Sequence, residues 1–316
     1  MNEYSLIILI EGLILKEVSK LKSIGPLIIV EGPNNSKVPF SRSLYIDCSD
    51  KVLIDSGADP MALTSIDKEY GIELIINTHY HPDHTGHNYL FKNATKWINP
   101  IEFETTRTID GVAKANGIHQ EWGSKGVEMW RKTLPQEWIT NLEEISGTYN
   151  YEIDYTFGDV KVVFLHIPGH TEGLSCPYFP DLGVAFVGDY DMTSFGPWYN
   201  GSDGDIEDFI KSGERLLSLD VHTYITGHQK GIFSKQDFKQ AMDNFLAIIE
   251  KRDEVIEQYA RQGLSFEELS NIGIFYPKNA LKEPIFNTWE RCGIRKHLYR
   301  LGLTVHETNK MATYQS

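Results

Sequence analysis

The segment Thr78-His79-Tyr80-His81-Pro82-Asp83-His84-Thr85-Gly86 constrains this chain more than any other feature. Three histidines and an aspartate crowd into six residues, directly after the run Glu73 to Asn77, which reads as a buried strand. Histidines also sit on polar loops that bind nothing, so this composition does not decide the matter alone. Imidazole nitrogen and carboxylate oxygen, however, are ligands that zinc, iron and manganese share. A tight loop at a strand end can aim alternate side chains into one cavity. Three later segments repeat the arrangement. Pro168-Gly169-His170-Thr171 follows the run Val162 to Ile167, Gly188-Asp189 follows Val184 to Val187, and Gly227-His228 follows Thr223 to Ile225. Each is an apolar strand, a glycine, then one ligand-type side chain. A lone residue of this kind is ordinarily structural, but four such strand ends in one chain point to a metal centre.

The rest of the chain supplies the frame. Short β-type runs are expected at Ser5 to Ile10, Leu27 to Val30, Ser43 to Ile46 and Val52 to Ile54, separated by turn residues such as Gly32-Pro33-Asn34-Asn35. A helix is expected over Pro60 to Tyr70. Residues 101 to 148 read as helices bearing Trp122, Trp130 and Trp138, with no strand alternation. A second β-rich stretch follows at Tyr151 to Thr156, Val160 to Ile167, Cys176 to Phe179, Val184 to Val187 and Thr223 to Ile225. Helical periodicity returns at Asp205 to Leu217 and Lys235 to Arg261. Two β-rich halves closed by helices imply an α/β fold, with two sheets face to face and helices outside. The domain reading is residues 1–235 as one unit with a helical insertion at about 101–148, and residues 236–316 as a small helical extension. In that extension Phe266 to Asn271 and a helix opened by Pro284 and running to Leu301 are expected, with Gly302 as the C-terminal cap.

Charge and cysteines narrow the setting. Thirty basic against forty-four acidic residues give a formal charge of -14. Such a field repels polyanions, and the short basic cluster Arg295, Lys296 and Arg300 does not offset it, so no nucleic-acid partner is expected. The three cysteines, Cys48, Cys176 and Cys292, are odd in number and scattered, which suits a reducing compartment. The apolar start from Leu6 to Ile10 is too short to span a bilayer and lacks a positive flank. A cytoplasmic, membrane-free protein acting on a small molecule is the expectation, with a homodimer as an open option.

The segments around His79, His170, Asp189 and His228 resemble the metallo-β-lactamase superfamily, whose signature is HxHxDH followed by separate His, Asp and His motifs. The resemblance covers roughly the first 230 residues and fills every ligand position in order. It implies an αββα sandwich. It further implies that His79, His81 and His170 hold a first metal, that Asp83, His84 and His228 hold a second, and that Asp189 bridges them. Two divalent ions follow, zinc first, with iron and manganese as alternatives. True β-lactamases of the family generally lack the bridging aspartate, so the fit is better to the glyoxalase II-like, lactonase-like and phosphodiesterase-like branches. In such a site two metals share one hydroxide as nucleophile, and Asp83 is the candidate proton shuttle. Tyr190, or else Tyr199, is a candidate donor to the developing oxyanion, as in lactonase-like relatives. The lead expectation is hydrolysis of a small carboxylic ester, a thioester or lactone. A phosphodiesterase or nuclease of the same fold, and a mononuclear-iron oxidoreductase similar to persulfide dioxygenases, are the alternatives. The tail resembles the winged-helix-type extension of some members and is read as a structural cap.

The remaining histidines have weaker claims. His166 is expected to point into the core or to orient a ligand, and His87 to support the histidine loop from behind. His119 falls in the tryptophan-bearing insertion, which is expected either to close over an apolar substrate or to form a dimer contact. His222, His297 and His306 count as surface or packing residues. Asp55 matches a family position that is structural, an acceptor behind the ligands.

Overall fold

A computed structural model describes residues 21–306 of the chain. The strand expected at Ser5 to Ile10 lies outside the described residues. The first sheet has the order β1 (Lys22–Ile24), β2 (Leu27–Val30), β3 (Ser43–Ile46), β4 (Val52–Ile54), β5 (Leu74–Asn77), β6 (Thr95–Ile98) and β7 (Gly147–Thr148). In the second, β13 (Ile232–Ser234) leads to β12 (Thr223–Ile225), β11 (Val184–Phe186), β10 (Ser175–Phe179), β9 (Val160–His166) and β8 (Asp154–Phe157).

Period-two alternation along the strands explains why two sheets pack face to face. Leu44, Ile46, Val52, Ile54 and Ile76 of the first sheet meet Val162, Phe164, Val184, Phe186 and Ile225 of the second in one buried layer. The intervening residues Tyr45, Leu53 and Ile75 point the other way, onto Leu63 and Ile66 of helix α1 (Pro60–Glu69). On the second sheet Leu165, Ala185 and Tyr224 face outward, against Phe209 and Leu216 of one helix and Phe238 and Met242 of another. With both faces of each sheet covered by helix or sheet, β3 and β4 are buried at every residue.

Strand directions then place the site. β4, β5 and β6 run parallel, while β9 and β11 are both antiparallel to β10, and β12 is parallel to β11. The C-terminal ends of β4, β5 and β6 in one sheet, and of β9, β11 and β12 in the other, therefore fall at one edge of the sandwich. Every segment singled out for ligand chemistry leaves one of these ends.

The strands β1, β6, β7 and β13 escaped the sequence reading. In β6 the sequence Thr-Lys-Trp-Ile hides a buried lysine. Lys96 Nζ donates to the carbonyls of Phe91 and Ala94 and pairs with Glu144 at 2.9 Å, so a charged side chain occupies a strand interior at full satisfaction. The strand expected at Tyr151 begins three residues later, at Asp154, after Glu152 takes a left-handed φ of 60°.

The insertion between β6 and β7 contains helices α2 (Ile109–Ala115), α3 (Ile118–Arg131, broken at Gly123) and α4 (Gln136–Glu144). Its tryptophans pack inward. Trp138 is buried with Tyr80, Ile98 and Val112 and donates to Thr85 Oγ1, and Trp130 meets it edge-on. Trp122 donates to Thr288 Oγ1 at 2.7 Å. The indole N–H groups of Trp122 and Trp138 are thus committed within the fold, and Trp122 and Trp130 stay partly exposed.

Helix α5 (Ile206–Ser218) lies between β11 and β12 in sequence. The extension comprises α6 (Lys235–Arg261), α7 (Phe266–Ser270) and α8 (Pro284–Arg300). Among its described residues no strand follows Ser234, so the extension is helical there. Nor is its core separate: Phe238, Met242, Phe245, Ile249, Ile256, Phe266, Ile294 and Leu298 share one buried cluster with Leu165, Val187 and Tyr224 of the second sheet. Pro284 opens α8, and Gly302, at φ 63°, follows its end. Among the described residues, no helix is long and apolar enough to cross a membrane.

Phe186 is fully buried between the sheets. Phe186→Ala should lower the unfolding free energy by about 3–5 kcal/mol in urea titration followed by circular dichroism. A loss below about 1 kcal/mol would mean that this layer is not the one holding the sheets together.

Candidate metal centre

Each ligand-type residue reaches the site because its strand stops there. After β5 the chain turns through His79 and His81 into a single helical turn, Pro82–Thr85, which carries Asp83 and His84. The glycines of the later segments serve the close approach. Gly169 has φ 126°, and a Cβ there would lie 2.2 Å from the amide nitrogen of Phe209; Gly188, directly before Asp189, turns at φ 53°.

The side chains converge in two groups. His79, His81, His170 and Asp189 form one, and Asp83, His84, Asp189 and His228 the other, with ligand-type atoms of each group within 4.8 Å of one another. Asp189 belongs to both. Its Oδ1 lies 2.9 Å from His84 Nε2, and its Oδ2 lies 3.3 Å from His170 Nε2 and 3.4 Å from His228 Nε2. Asp83 Oδ2 is 3.3 Å from His228 Nε2. Imidazoles also face each other nitrogen to nitrogen, His170 Nε2 to His81 Nδ1 at 2.9 Å and His84 Nε2 to His228 Nε2 at 3.2 Å. Such facing lone pairs repel unless a proton or a cation lies between them. His79 Nε2 is buried without any hydrogen-bond partner, and a buried nitrogen of that kind is costly unless it meets a ligand. The donor set and these orphaned atoms fit divalent metal ions.

The outer nitrogens are held from behind, the arrangement metal-binding imidazoles ordinarily show. His84 Nδ1 lies 2.7 Å from Asp55 Oδ2, His170 Nδ1 2.9 Å from the Trp198 carbonyl, and His228 Nδ1 2.9 Å from the carbonyls of Ser36 and Phe40. With a carbonyl or carboxylate as acceptor, Nδ1 carries a proton, so Nε2 is the nitrogen turned toward the cluster. Asp55 also accepts from Thr78 N–H and Oγ1, both at 2.8 Å, and it sits at a left-handed φ of 56°. Arg42, beneath the His228 loop, donates to the carbonyls of Thr226 and Gln229 and pairs with Glu31.

Electrostatics separate the histidines. Burial, reinforced by neighbouring imidazoles, holds His79 and His81 well below the usual histidine range, and burial also lowers His170. Burial pulls His84 and His228 down too, but carboxylates outweigh it. Asp189 and Asp55 raise His84 well above its ordinary value, and Asp189 and Asp83 bring His228 to about 9. Burial works to raise Asp189, yet His170, His84 and His228 hold it well below the carboxylate range. The centre thus draws positive charge toward its carboxylates. Nearby, burial pushes Glu102 up to about 8 although Thr171 Oγ1, Asn99 Nδ2 and Gly173 N–H all donate to it; this carboxyl shapes the turn after His170.

The aromatic candidates land elsewhere. Tyr190 is fully buried against Phe209, and its hydroxyl donates to the Phe209 carbonyl at 2.8 Å. It is a core residue with its donor committed, so the oxyanion role expected for it is withdrawn. Tyr199 is buried as well, with its hydroxyl beside His297 Nε2 and Arg252. Trp198 is the residue of this loop that meets the centre, its ring 5.1 Å from the rings of both His81 and His170. His166 binds the Glu172 carbonyl and stacks on Tyr151, so it is neither in the core nor behind a ligand. His87 binds the Ser56 carbonyl, and Ser56 N–H in turn binds that of His84, which makes it a support of the histidine loop. His119 is exposed. The carbonyls of Ser36, Phe40 and Trp198 were invisible to sequence reasoning, because a main-chain acceptor carries no residue signature.

A family model described as the metallo-beta-lactamase superfamily matches residues 39–103 and 106–228. A hydroxyacylglutathione hydrolase of Hyphomonas neptunium is 27% identical over 222 residues, covering 67% of this chain and 69% of that protein. Among solved structures, a metallo-beta-lactamase family protein from Thermus thermophilus matches with a TM-score of 0.60 at 21% identity, over 87% of this chain and 93% of its own. A beta-lactamase domain protein from Burkholderia ambifaria matches with a TM-score of 0.63 at 14% identity, over 90% and 89%. Both structures cover more of the chain than the family model does, so the shared fold takes in part of the C-terminal helices.

Asp55→Ala removes one acceptor from three buried donors. The expected cost is about 1–3 kcal/mol for each donor left without a partner, read by urea unfolding. Parental stability in this variant would show that the carboxylate is not what holds Thr78 and His84.

Proposed function

The chain belongs to the metallo-β-lactamase superfamily, and from that membership we propose that it is a two-metal hydrolase of a small carboxylic ester, a thioester or lactone. The observation that carries this reading is the position of Asp189 in both ligand groups, each of which is complete without a thiolate. Nitrogen and oxygen donors of this kind suit zinc first and accept iron or manganese. His79, His81 and His170 would hold one ion, Asp83, His84 and His228 the other, with Asp189 between them. Bound there, the ions would supply Lewis acidity, making water a nucleophile near neutral pH and drawing charge from the substrate carbonyl.

The chain's own groups do the rest. The hydrogen bonds to the outer nitrogens of His84, His170 and His228 keep the inner nitrogens aimed before substrate arrives, so no reorganisation is needed during reaction. Asp83 and Asp189 are the partly exposed members, 14% and 12%, among histidines that are almost fully buried. The centre therefore opens toward solvent at its carboxylates. Asp83, on that open side, is the group that can hand a proton to the leaving thiol or alcohol. Trp198 walls the side of His81 and His170 with an apolar ring, which suits an acyl group better than a phosphate. The relative named for hydrolysing a hydroxyacylglutathione, and the charge of -14, favour an acyl substrate over a polyanion in the same way.

Metal content per chain, measured on protein purified without added metal or chelator, should be close to two. Turnover should appear on p-nitrophenyl esters, thioesters or lactones and be absent on bis-p-nitrophenyl phosphate. A single iron without hydrolysis would overturn this reading in favour of oxygen chemistry. Asp189→Ala should keep the fold but lose the paired metals and at least about 100-fold in kcat; two metals and full turnover in that variant would sink the bridging role.

A further inference from the structure

We propose that the C-terminal helices position the metal centre, acting through Trp198 on His170 and so on one of the two metals only. This inference rests on the two-metal reading above and adds a role for residues 252–296, which contain none of the ligands.

Trp198 touches the centre twice. Its carbonyl accepts from His170 Nδ1 at 2.9 Å, leaving Nε2 to face His81 Nδ1 at 2.9 Å. Its ring packs on both of these histidines. The sheets place the two histidines, and the extension holds Trp198 against them. On the N-terminal side of Trp198, Arg252 of α6, itself buried, donates to the carbonyls of Pro197 at 2.6 Å and Phe195 at 2.5 Å. On the other side, Lys296 Nζ of α8 donates to the Tyr199 carbonyl at 2.9 Å and also to the carbonyls of Gly201 and Gly204. The indole N–H donates to Tyr276 Oη at 2.6 Å, and Trp289 of α8 meets the indole edge-on at 5.4 Å. Tyr276 is fixed in turn by the buried Glu290 carboxyl, which accepts from the amides of Ile274, Phe275 and Tyr276. Backbone, side chain and ring of Trp198 are thus all fastened by the extension.

The other ligands differ. The outer nitrogens of His84 and His228 are held by Asp55, Ser36 and Phe40, and that of His79 lies 3.1 Å from Thr78 Oγ1. All of these partners precede residue 79. Loosening the extension should release His170 and leave His84 and His228 in place. Removing a hydrogen bond behind a metal-binding imidazole ordinarily lowers metal affinity about 10- to 100-fold.

The test is cobalt(II) titration of the full-length, metal-stripped protein against a competing chelator, followed by the visible absorption of the bound ion. Tyr276→Phe removes a single hydroxyl from the indole contact, and Lys296→Met removes the clamp on three carbonyls at similar length. The parent should bind two cobalt ions. Each variant should bind one with parental affinity and the other about tenfold or more weakly, with its absorption spectrum altered for that ion alone. Tyr299→Ala, on the exposed face of α8, should match the parent. Parental affinity at both sites in folded variants would overturn the proposal, and so would equal weakening at both, which would mark a general loosening. If Lys296→Met does not fold, Tyr276→Phe decides alone. A parent that binds fewer than two cobalt ions would instead overturn the two-metal reading itself, and this inference with it.

Discussion

Phe164, Phe186 and Ile225 pack against Ile46, Ile54 and Ile76, and the site depends on that apolar layer. It fixes the separation and relative rotation of two sheets whose strands end at a common edge. His79, His81 and His84 come from one sheet, and His170, Asp189 and His228 from the other. No local interaction joins them; a shift of the layer by an ångström would separate Asp189 from His84 Nε2, now 2.9 Å away. Packed interiors are stiff and tolerate little displacement. The distances among ligand atoms are therefore set by side chains with no polar chemistry of their own.

Electrostatics impose the second constraint. Imidazole and carboxylate groups gathered in one largely buried volume are unfavourable without counter-charge and hydrogen bonds. The chain meets this partly by local acceptors behind the histidines, of which Asp55 is the most economical, serving Thr78 and His84 at once. The rest of the demand is visible in the opposed shifts of the histidines, with His79 and His81 driven down and His84 and His228 drawn up by Asp189 and its neighbours. Divalent ions answer the same demand more fully, because one cation meets several nitrogens that otherwise face each other.

The helical extension has a different relation to the site. It contributes no ligand, yet its core is continuous with that of the second sheet. Its buried Arg252 and Glu290, and its partly buried Lys296, all donate to or accept from main chain near the site or one step behind it. Charged residues taken out of water in this way are expensive unless fully paired. Their pairing with backbone carbonyls and amides anchors the loop at Trp198, which has no regular structure of its own.

The sequence by itself determined the elements and the ligand types. Apolar runs of strand length were enough for β2 to β5 and β9 to β12, because strands covered on both faces are apolar at nearly every position, and helical periodicity was enough for the long helices. The glycine-then-ligand pattern was equally local, since a side chain that leaves a strand end toward a crowded edge needs a residue without Cβ before it. Tertiary structure decided what the side chains meet. Tyr190 sits next to Asp189 in sequence but in the core in space, where its hydroxyl finds the Phe209 carbonyl. Lys96 looks like a surface residue and is a strand interior, because Phe91, Ala94 and Glu144 surround its ammonium. The acceptors behind His170 and His228 are main-chain carbonyls, and the anchors of Trp198 come from helices far along the chain. Such partners are selected by three-dimensional packing, and a carbonyl is the same group in every residue, so no one-dimensional pattern can mark which of them will hold a ligand.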